Sequence, residues 1–201
     1  PGSAIKPLTY AAAMSPDEQG QVTWTAAEIL WDVETEYPQA DGQTYSPVNY
    51  DGRFHGPVRL RDALANSYNI PAVLLLQDIG VPRALEFARA LGIESWQNDS
   101  SQYGLSLTLG GGEVTPLELT GAFSTFANGG YRVPPTSLLR VEKSDGEVLY
   151  EQSLTDPESV LDERVAYLIS DILDDDQARV PARGVDNPLD LPFPAAAKTG
   201  T

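Results

Sequence analysis

Ser3-Ala4-Ile5-Lys6 stands near one end of the chain, Ser67-Tyr68-Asn69 in its first half, and Lys198-Thr199-Gly200-Thr201 at its other end. Each pattern alone, S-x-x-K, S-x-N or K-T-G, arises often by chance in 201 residues. The three in this order and at wide spacing form one signature. Together they supply what acyl transfer through a serine ester requires: a nucleophile beside a base, a polar relay and an electrophilic clamp.

Working outward from Ser3, the run Ala4, Ile5, Leu8, Ala11, Ala12, Ala13 predicts a mostly buried helix over residues 3 to 14. Ser3 at a helix start also fits a plain N-cap. A cap leaves Lys6 unexplained, a charge one turn on and on the same face of an otherwise apolar helix. Residues 58 to 66 and 70 to 79 read as helices, the second with Pro71 near its first turn. Ser67-Tyr68-Asn69 is then their connection, either an ordinary helix–helix turn or a tight loop aiming side chains into a cleft. Residues 15 to 56 read as irregular, rich in Pro, Gly, Asp, Gln and Tyr. Further helices are expected over 82 to 91 and from the Thr115-Pro116-Leu117-Glu118 capping box to about Ala127, and another over 163 to 174 capped by Asp162. A hairpin is expected around Ser144-Asp145-Gly146. After a Pro-rich loop, Ala195 to Gly200 reads as a buried strand with a polar end, placing Thr199 and Thr201 on one face.

Composition narrows the chemistry. Apolar residues make up 41% and charged residues 21%, which suits a globular fold with a real core. No apolar run reaches about 18 residues, so no span is expected, and the opening residues carry no secretory signal. Cysteine is absent, which removes disulfides and thiolate chemistry. The single histidine, His55, stands in Gly52-Arg53-Phe54-His55-Gly56 and reads as a loop residue, not a base. The formal charge of −16 argues against nucleic acid as a partner. Gly110-Gly111-Gly112 lacks the lysine of a phosphate loop and reads as a turn. Asp174-Asp175-Asp176 reads as a solvated helix end, not a metal site, and Asn98-Asp99-Ser100 as a sequon of high chance frequency. No metal and no cofactor is expected.

With no suitable histidine, Lys6 is the candidate base for Ser3. A free lysine has a pKa near ~10.4, so the site must favour its neutral form, by burial or by a second cation such as Lys198. A depression of ~3 units corresponds to about 4 kcal/mol. Ser67 is placed to pass a proton between Lys6 and a departing amine, and Asn69 to hold a substrate backbone. Lys198, Thr199 and Thr201 suit a terminal carboxylate, and the backbone N–H groups of Ser3 and Thr201 are candidate oxyanion donors.

The chain resembles the transpeptidase domain of bifunctional (class A) penicillin-binding proteins. The likeness extends past the three motifs to Pro1 through Leu8, Tyr45-Ser46-Pro47-Val48-Asn49-Tyr50 with Gly56, Arg61 through Val73, Tyr103 through Gly111, and Phe126-Ala127-Asn128-Gly129-Gly130. It implies the α+β serine β-lactamase/penicillin-binding fold, a helical cluster beside an antiparallel sheet. Residues 1–201 would be one such domain, truncated at both ends and dominated by helix. It implies peptidoglycan D,D-transpeptidation: Ser3 attacks the D-Ala-D-Ala bond of a stem peptide, D-alanine leaves, and an amine of a neighbouring stem takes the acyl group. Lys6, Ser67, Asn69, Lys198, Thr199 and Thr201 fall on the family's motif positions. Expected partners are stem peptides and β-lactam antibiotics, with a glycosyltransferase domain and a membrane anchor elsewhere in the full-length chain. The expected place of action is the outer side of a bacterial cytoplasmic membrane. With strands missing before and after it, the excerpt alone is expected to be a weak enzyme. The alternatives are a serine β-lactamase and a non-catalytic β-lactam sensor. The first lacks support, since no E-x-x-N segment supplies a deacylating glutamate.

Overall fold

The computed structural model describes residues 1–17, 19–38, 42–97, 99–153 and 157–201. Asn98 of the sequon lies outside the described residues. At the centre is a short 3-10 turn, Gly2–Ile5, that runs directly into helix α1, Lys6–Met14. Every residue of α1 is buried. A helix apolar on all sides belongs inside a cluster, and α1 is surrounded by α3 (Asn69–Ile79), α4 (Val81–Ala90) and α6 (Glu163–Asp174). Small Ala11, Ala12 and Ala13 let these neighbours approach, while Ile70, Val73, Leu75 and Leu76 of α3 fill the space between. Each such side chain contributes about 1.5–3 kcal/mol on burial. A buried hydrogen bond from Thr108 Oγ1 to Thr9 Oγ1, 2.8 Å, ties α1 to the 3-10 segment Leu105–Leu109.

The remaining helices are α2 (Leu60–Ala65), α5 (Pro116–Ala127) and α7 (Asp176–Arg183). The Thr115/Glu118 capping box of α5 forms as expected: Thr115 Oγ1 accepts from the Glu118 N–H at 3.2 Å and Glu118 Oε2 from the Thr115 N–H at 2.8 Å. Asp162 caps α6 through the Arg164 N–H. The hairpin around Ser144 to Gly146 forms from β6 (Arg140–Glu142) and β7 (Val148–Glu151). Among the described residues the architecture is a helical cluster edged by four two-stranded antiparallel sheets, an α+β arrangement. No helix of the described residues is long and apolar enough to cross a membrane.

Four expectations differ from the structure. Residues 15 to 56 are not wholly irregular: β1 (Ile29–Asp32), β2 (Tyr37–Pro38) and β3 (Thr44–Tyr45) lie there, and β4 (Gly56–Arg59) begins at its end. β1 hides from a pattern search because its exposed positions, Ile29 and Trp31, are apolar, while its inward Asp32 is charged. β4 pairs Arg59 to Gly56 against Ile29 to Asp32, so α2 starts at Leu60 and not at residue 58. Helix α7 falls where a Pro-rich loop is expected. Asp175 accepts from the Ala178 N–H and starts it, and Pro181 lies in its last turns. Residues 195 to 200 form no strand, because among the described residues no strand lies alongside. Their backbone is tied to the end of α6 instead, the Ala197 N–H donating to the Leu173 carbonyl at 2.9 Å and that of Ala195 to Asp174 Oδ1 at 2.8 Å. Strand alternation therefore does not place Thr199 and Thr201. The other short pair, β5 (Tyr131–Arg132) with β8 (Glu158–Ser159), is too brief to leave a periodic signal.

The Gly110 turn meets the start of the 3-10 turn Gly2–Ile5 at close range. Gly110 has φ +98°, and a Cβ there would lie 2.4 Å from the Gly2 nitrogen and 2.5 Å from its Cα. Gly110→Ala is expected to lower stability by at least about 1–3 kcal/mol through the left-handed backbone alone. Gly104→Ala, where a Cβ meets nothing within 4 Å, is the matched control. Thermal unfolding of both variants checks this. An unchanged midpoint for Gly110→Ala contradicts the close approach.

Candidate functional site

Ser3 lies in the 3-10 turn, half-buried, and Lys6 begins α1 with no exposed surface. The Lys6 amine points at the connection between α2 and α3. Its Nζ donates to the Ser67 carbonyl at 2.6 Å, to Asn69 Oδ1 at 2.6 Å and to the Tyr68 carbonyl at 3.2 Å, with Ser67 Oγ at 3.3 Å. No hydrogen bond joins Lys6 to Ser3 among the described residues; proximity on one turn is what associates them.

The connection presents these acceptors because of its backbone. Ser67 has φ +60°, the one non-glycine residue with positive φ among those described. Its N–H and that of Tyr68 return to the Leu64 and Ala63 carbonyls at 3.1 and 3.0 Å, closing α2. The kink turns two successive carbonyls inward onto one amine. Such a conformation costs of order 1–3 kcal/mol and persists where the surroundings enforce it. Asn66 helps from the far side: its Nδ2 donates to the Ala178 carbonyl and its Oδ1 accepts from the Ala182 N–H, so α7 is bound to the loop. Sequence reading missed Asn66, which has no local pattern.

Ser67 Oγ also joins the third motif. Lys198 Nζ donates to it at 2.8 Å and to the Thr199 carbonyl at 3.0 Å. A single hydroxyl thus links two lysine amines. Burial, with the Lys198 charge adding to it, brings the Lys6 pKa down to about 6. Burial, with the Arg183 charge adding to it, brings that of Lys198 down to about 7. The sequence expectation that Lys198 acts as the second cation on Lys6 agrees with this geometry. Arg183 was not anticipated; its Nη2 donates to Thr199 Oγ1.

The third motif closes on the turn carrying Ser3 at contact distance. A Cβ on Gly200 would lie 2.4 Å from the Pro1 carbonyl oxygen and 3.3 Å from Ala4 Cβ, so glycine is what lets the Thr201 backbone reach the turn carrying Ser3. Asn69 is held on three sides: its Oδ1 accepts from Lys6, its Nδ2 donates to the Val48 carbonyl at 2.7 Å, and its N–H donates to Asn49 Oδ1 at 2.7 Å. That leaves one amide N–H for a substrate. A cleft of about 360 Å³ runs over these groups, lined by Ser3, Ser67, Asn69, Arg183 and Thr201, with Tyr50 and Asp51 at its rim.

Features set aside in the sequence have structural employment. His55 Nδ1 meets the buried Asp32 at 2.5 Å and Nε2 meets Asp51 at 3.1 Å. Asp175 and Asp171 hold Arg61, and Asp176 pairs with Arg179. No cluster of metal-ligating side chains occurs among the described residues.

Comparison with known proteins places this geometry in a family. The model of the penicillin binding protein transpeptidase domain matches residues 1–201. Penicillin-binding protein 1A of Pseudomonas aeruginosa is 37% identical over 83% of this chain and 19% of its own length. That of Neisseria lactamica is 34% identical over 100% of this chain and 25% of its own. The crystal structure of penicillin-binding protein 1A from Haemophilus influenzae superposes with a TM-score of 0.74 at 25% identity, covering 88% of this chain and 29% of that one. PBPA of Mycobacterium tuberculosis shares the fold, with a TM-score of 0.72 at 24% identity over 90% of this chain. The chain thus spans about a quarter or less of the length of these curated relatives. On the family match across its whole length and on these identities, it belongs to the transpeptidase domains of penicillin-binding proteins.

Proposed function

We propose that this chain is the unit of a penicillin-binding protein that cross-links peptidoglycan by D,D-transpeptidation through an acyl-enzyme on Ser3. One observation carries the reading: the Lys6 and Lys198 amines meet on Ser67 Oγ at the floor of the cleft that Ser3 and Thr201 line. In its neutral form Lys6 takes the Ser3 hydroxyl proton as Oγ attacks the carbonyl carbon of the D-Ala-D-Ala bond. The oxyanion is met by the N–H groups of Ser3 and Thr201. Collapse breaks the C–N bond, and the proton passes from Lys6 through Ser67 Oγ to the departing D-alanine amine. The acceptor amine then attacks the ester and gives its proton back along the same route, which restores Ser3.

Lys198, Thr199 and Thr201 receive the terminal carboxylate, and the remaining Asn69 amide N–H holds the stem-peptide backbone. A β-lactam presents its strained amide to the same groups and acylates Ser3. The partners are stem peptides, with a glycosyltransferase domain and a membrane anchor in the full-length protein, acting on the outer side of the cytoplasmic membrane. Residues 1–201 constitute the domain between its first and third motifs. By themselves they acylate weakly, because the segment carrying Lys198 pairs with no strand among the described residues. A hydrolytic β-lactamase is the poorer fit: no glutamate lines the cleft among the described residues, and Glu118 is committed to Thr115 and Ser95.

Incubation of the full-length protein with benzylpenicillin, followed by peptide mass spectrometry, is expected to place the adduct on the peptide containing Ser3 and to find none in Ser3→Ala. An adduct elsewhere overturns the assignment.

Acylation needs neutral Lys6, so its rate rises with pH through a pKa of about 6. Removing the Lys198 charge removes a cation that disfavours protonated Lys6, so Lys6 binds its proton more tightly. In Lys198→Met the acid limb of the acylation rate is expected to move up by ~1 pH unit. In Lys198→Arg, which keeps the charge, the limb stays low while the plateau falls. Coincident limbs in the two variants rule out the charge effect.

A further inference from the structure

We propose that Asp32 is a positioning residue of this site, holding the Ser67-Tyr68-Asn69 loop from behind through Asn49 and His55. The inference rests on the transpeptidase reading above, and it adds residues outside the three motifs.

Asp32 is fully buried at the end of β1. A carboxylate there only accepts hydrogen bonds, and it accepts four. Asn49 Nδ2 reaches Oδ1 at 2.9 Å and Oδ2 at 2.8 Å; the His55 N–H reaches Oδ2 at 3.1 Å and His55 Nδ1 reaches it at 2.5 Å. Because the carboxylate donates nothing, the NH₂ side of the Asn49 amide must face it. Asn49 Nδ2 also meets the Arg53 carbonyl at 2.8 Å, which agrees. Asn49 Oδ1 is therefore turned the other way, onto the backbone N–H of Asn69 at 2.7 Å. Asn69 is the first residue of α3, whose N–H has no partner within the helix. Tyr68, the residue before it, provides no side-chain cap. Asn49 is thus an N-cap supplied from another segment, with its orientation set by Asp32.

The second arm is His55. Its ring stacks on Tyr68 with centroids 3.9 Å apart and planes 15° from parallel. Tyr68 is the residue between Ser67 and Asn69, and its carbonyl accepts from Lys6. One buried carboxylate therefore braces both sides of a loop whose Ser67 is held at φ +60°. Asp32 has no hydrogen bond to Lys6 and does not line the cleft, so its hydrogen bonds reach the loop through these two residues.

The test uses Asp32→Asn, close to isosteric, in the full-length protein. The first readout is the second-order acylation rate with benzylpenicillin across pH. A displacement of the loop by about 1 Å corresponds to a loss of up to ~100-fold in the plateau rate. Lys6 also loses part of the hold of Asn69 Oδ1 on its protonated form, so the acid limb moves to lower pH. Lys198 lies across Ser67 Oγ from Lys6, Tyr10 stands one turn along α1, and Asp32, His55 and Asp51 form one hydrogen-bonded chain behind the loop. All but Asp32 are unchanged in the variant. A fall equal at every pH with a lowered unfolding midpoint marks Asp32 as merely structural and overturns the proposal, as does an unchanged rate.

The second readout does not depend on the reaction. Amide hydrogen exchange at Asn69 is expected to accelerate at least tenfold in Asp32→Asn, while α5 amides keep their protection. Unchanged Asn69 exchange overturns the proposal even if the parent protein fails to acylate. The double variant Asp32→Asn/Asn49→Asp reverses donor and acceptor between the two positions and still presents an acceptor to the Asn69 N–H. It is expected to recover Asn69 protection in part, and no recovery counts against the relay.

Discussion

A lysine amine without solvent contact constrains everything around it. Taking an ammonium out of water costs several kcal/mol unless its donors are met, and among the described residues Lys6 meets acceptors only on the Ser67-Tyr68-Asn69 side. Three requirements follow. Two successive carbonyls must turn inward, which forces Ser67 into the left-handed region. The start of α3 must sit where Asn69 Oδ1 reaches the amine. And α1 must be enclosed by α3, α4 and α6, so that water does not compete for those acceptors. The apolar cluster and the strained loop are in this sense one device, since the core supplies the burial and the loop supplies the acceptors.

The same burial sets the electrostatics. The chain carries a formal charge of −16, yet Lys6, Lys198 and Arg183 lie in sequence along one line of contacts through Ser67 Oγ and Thr199. Each cation disfavours protonation of the one before it: Arg183 acts on Lys198, and Lys198 on Lys6. A cluster of cations in an acidic protein also concentrates field at the cleft, where the rest of the surface repels anions.

Opposite the cations stands a buried anion. Asp32 is separated from Lys6 by the loop, and burial with the Asp32 charge pushes the Tyr10 hydroxyl pKa up. The loop is thus clamped between a buried amine in front and a buried carboxylate behind. Lys6 takes its acceptors from the loop directly, and Asp32 reaches the loop through Asn49 and His55, so the loop is held from two segments distant in sequence.

The sequence by itself determined the helices with strong local signals. The apolar run after Ser3 marks α1, the Thr115/Glu118 box and Asp162 mark two helix starts, and Ser144-Asp145-Gly146 marks a hairpin, because caps, turns and periodicity act within a few residues. It also marked Ser3, Lys6, Ser67, Asn69 and Lys198 as candidates by motif, and Lys6, Ser67, Asn69 and Lys198 share one set of hydrogen bonds in the fold. What only the tertiary structure decided depends on partners far along the chain. Strand β1 is hidden because its inward residue is a charge. The segment 195–200 has a strand's composition but takes its hydrogen bonds from the end of α6. Asn66 and Arg183 acquire their places only when α7 docks. His55 and Asn49 read as loop residues until Asp32 arrives beside them, because a hydrogen bond across 17 or 23 residues leaves no periodic trace in either segment.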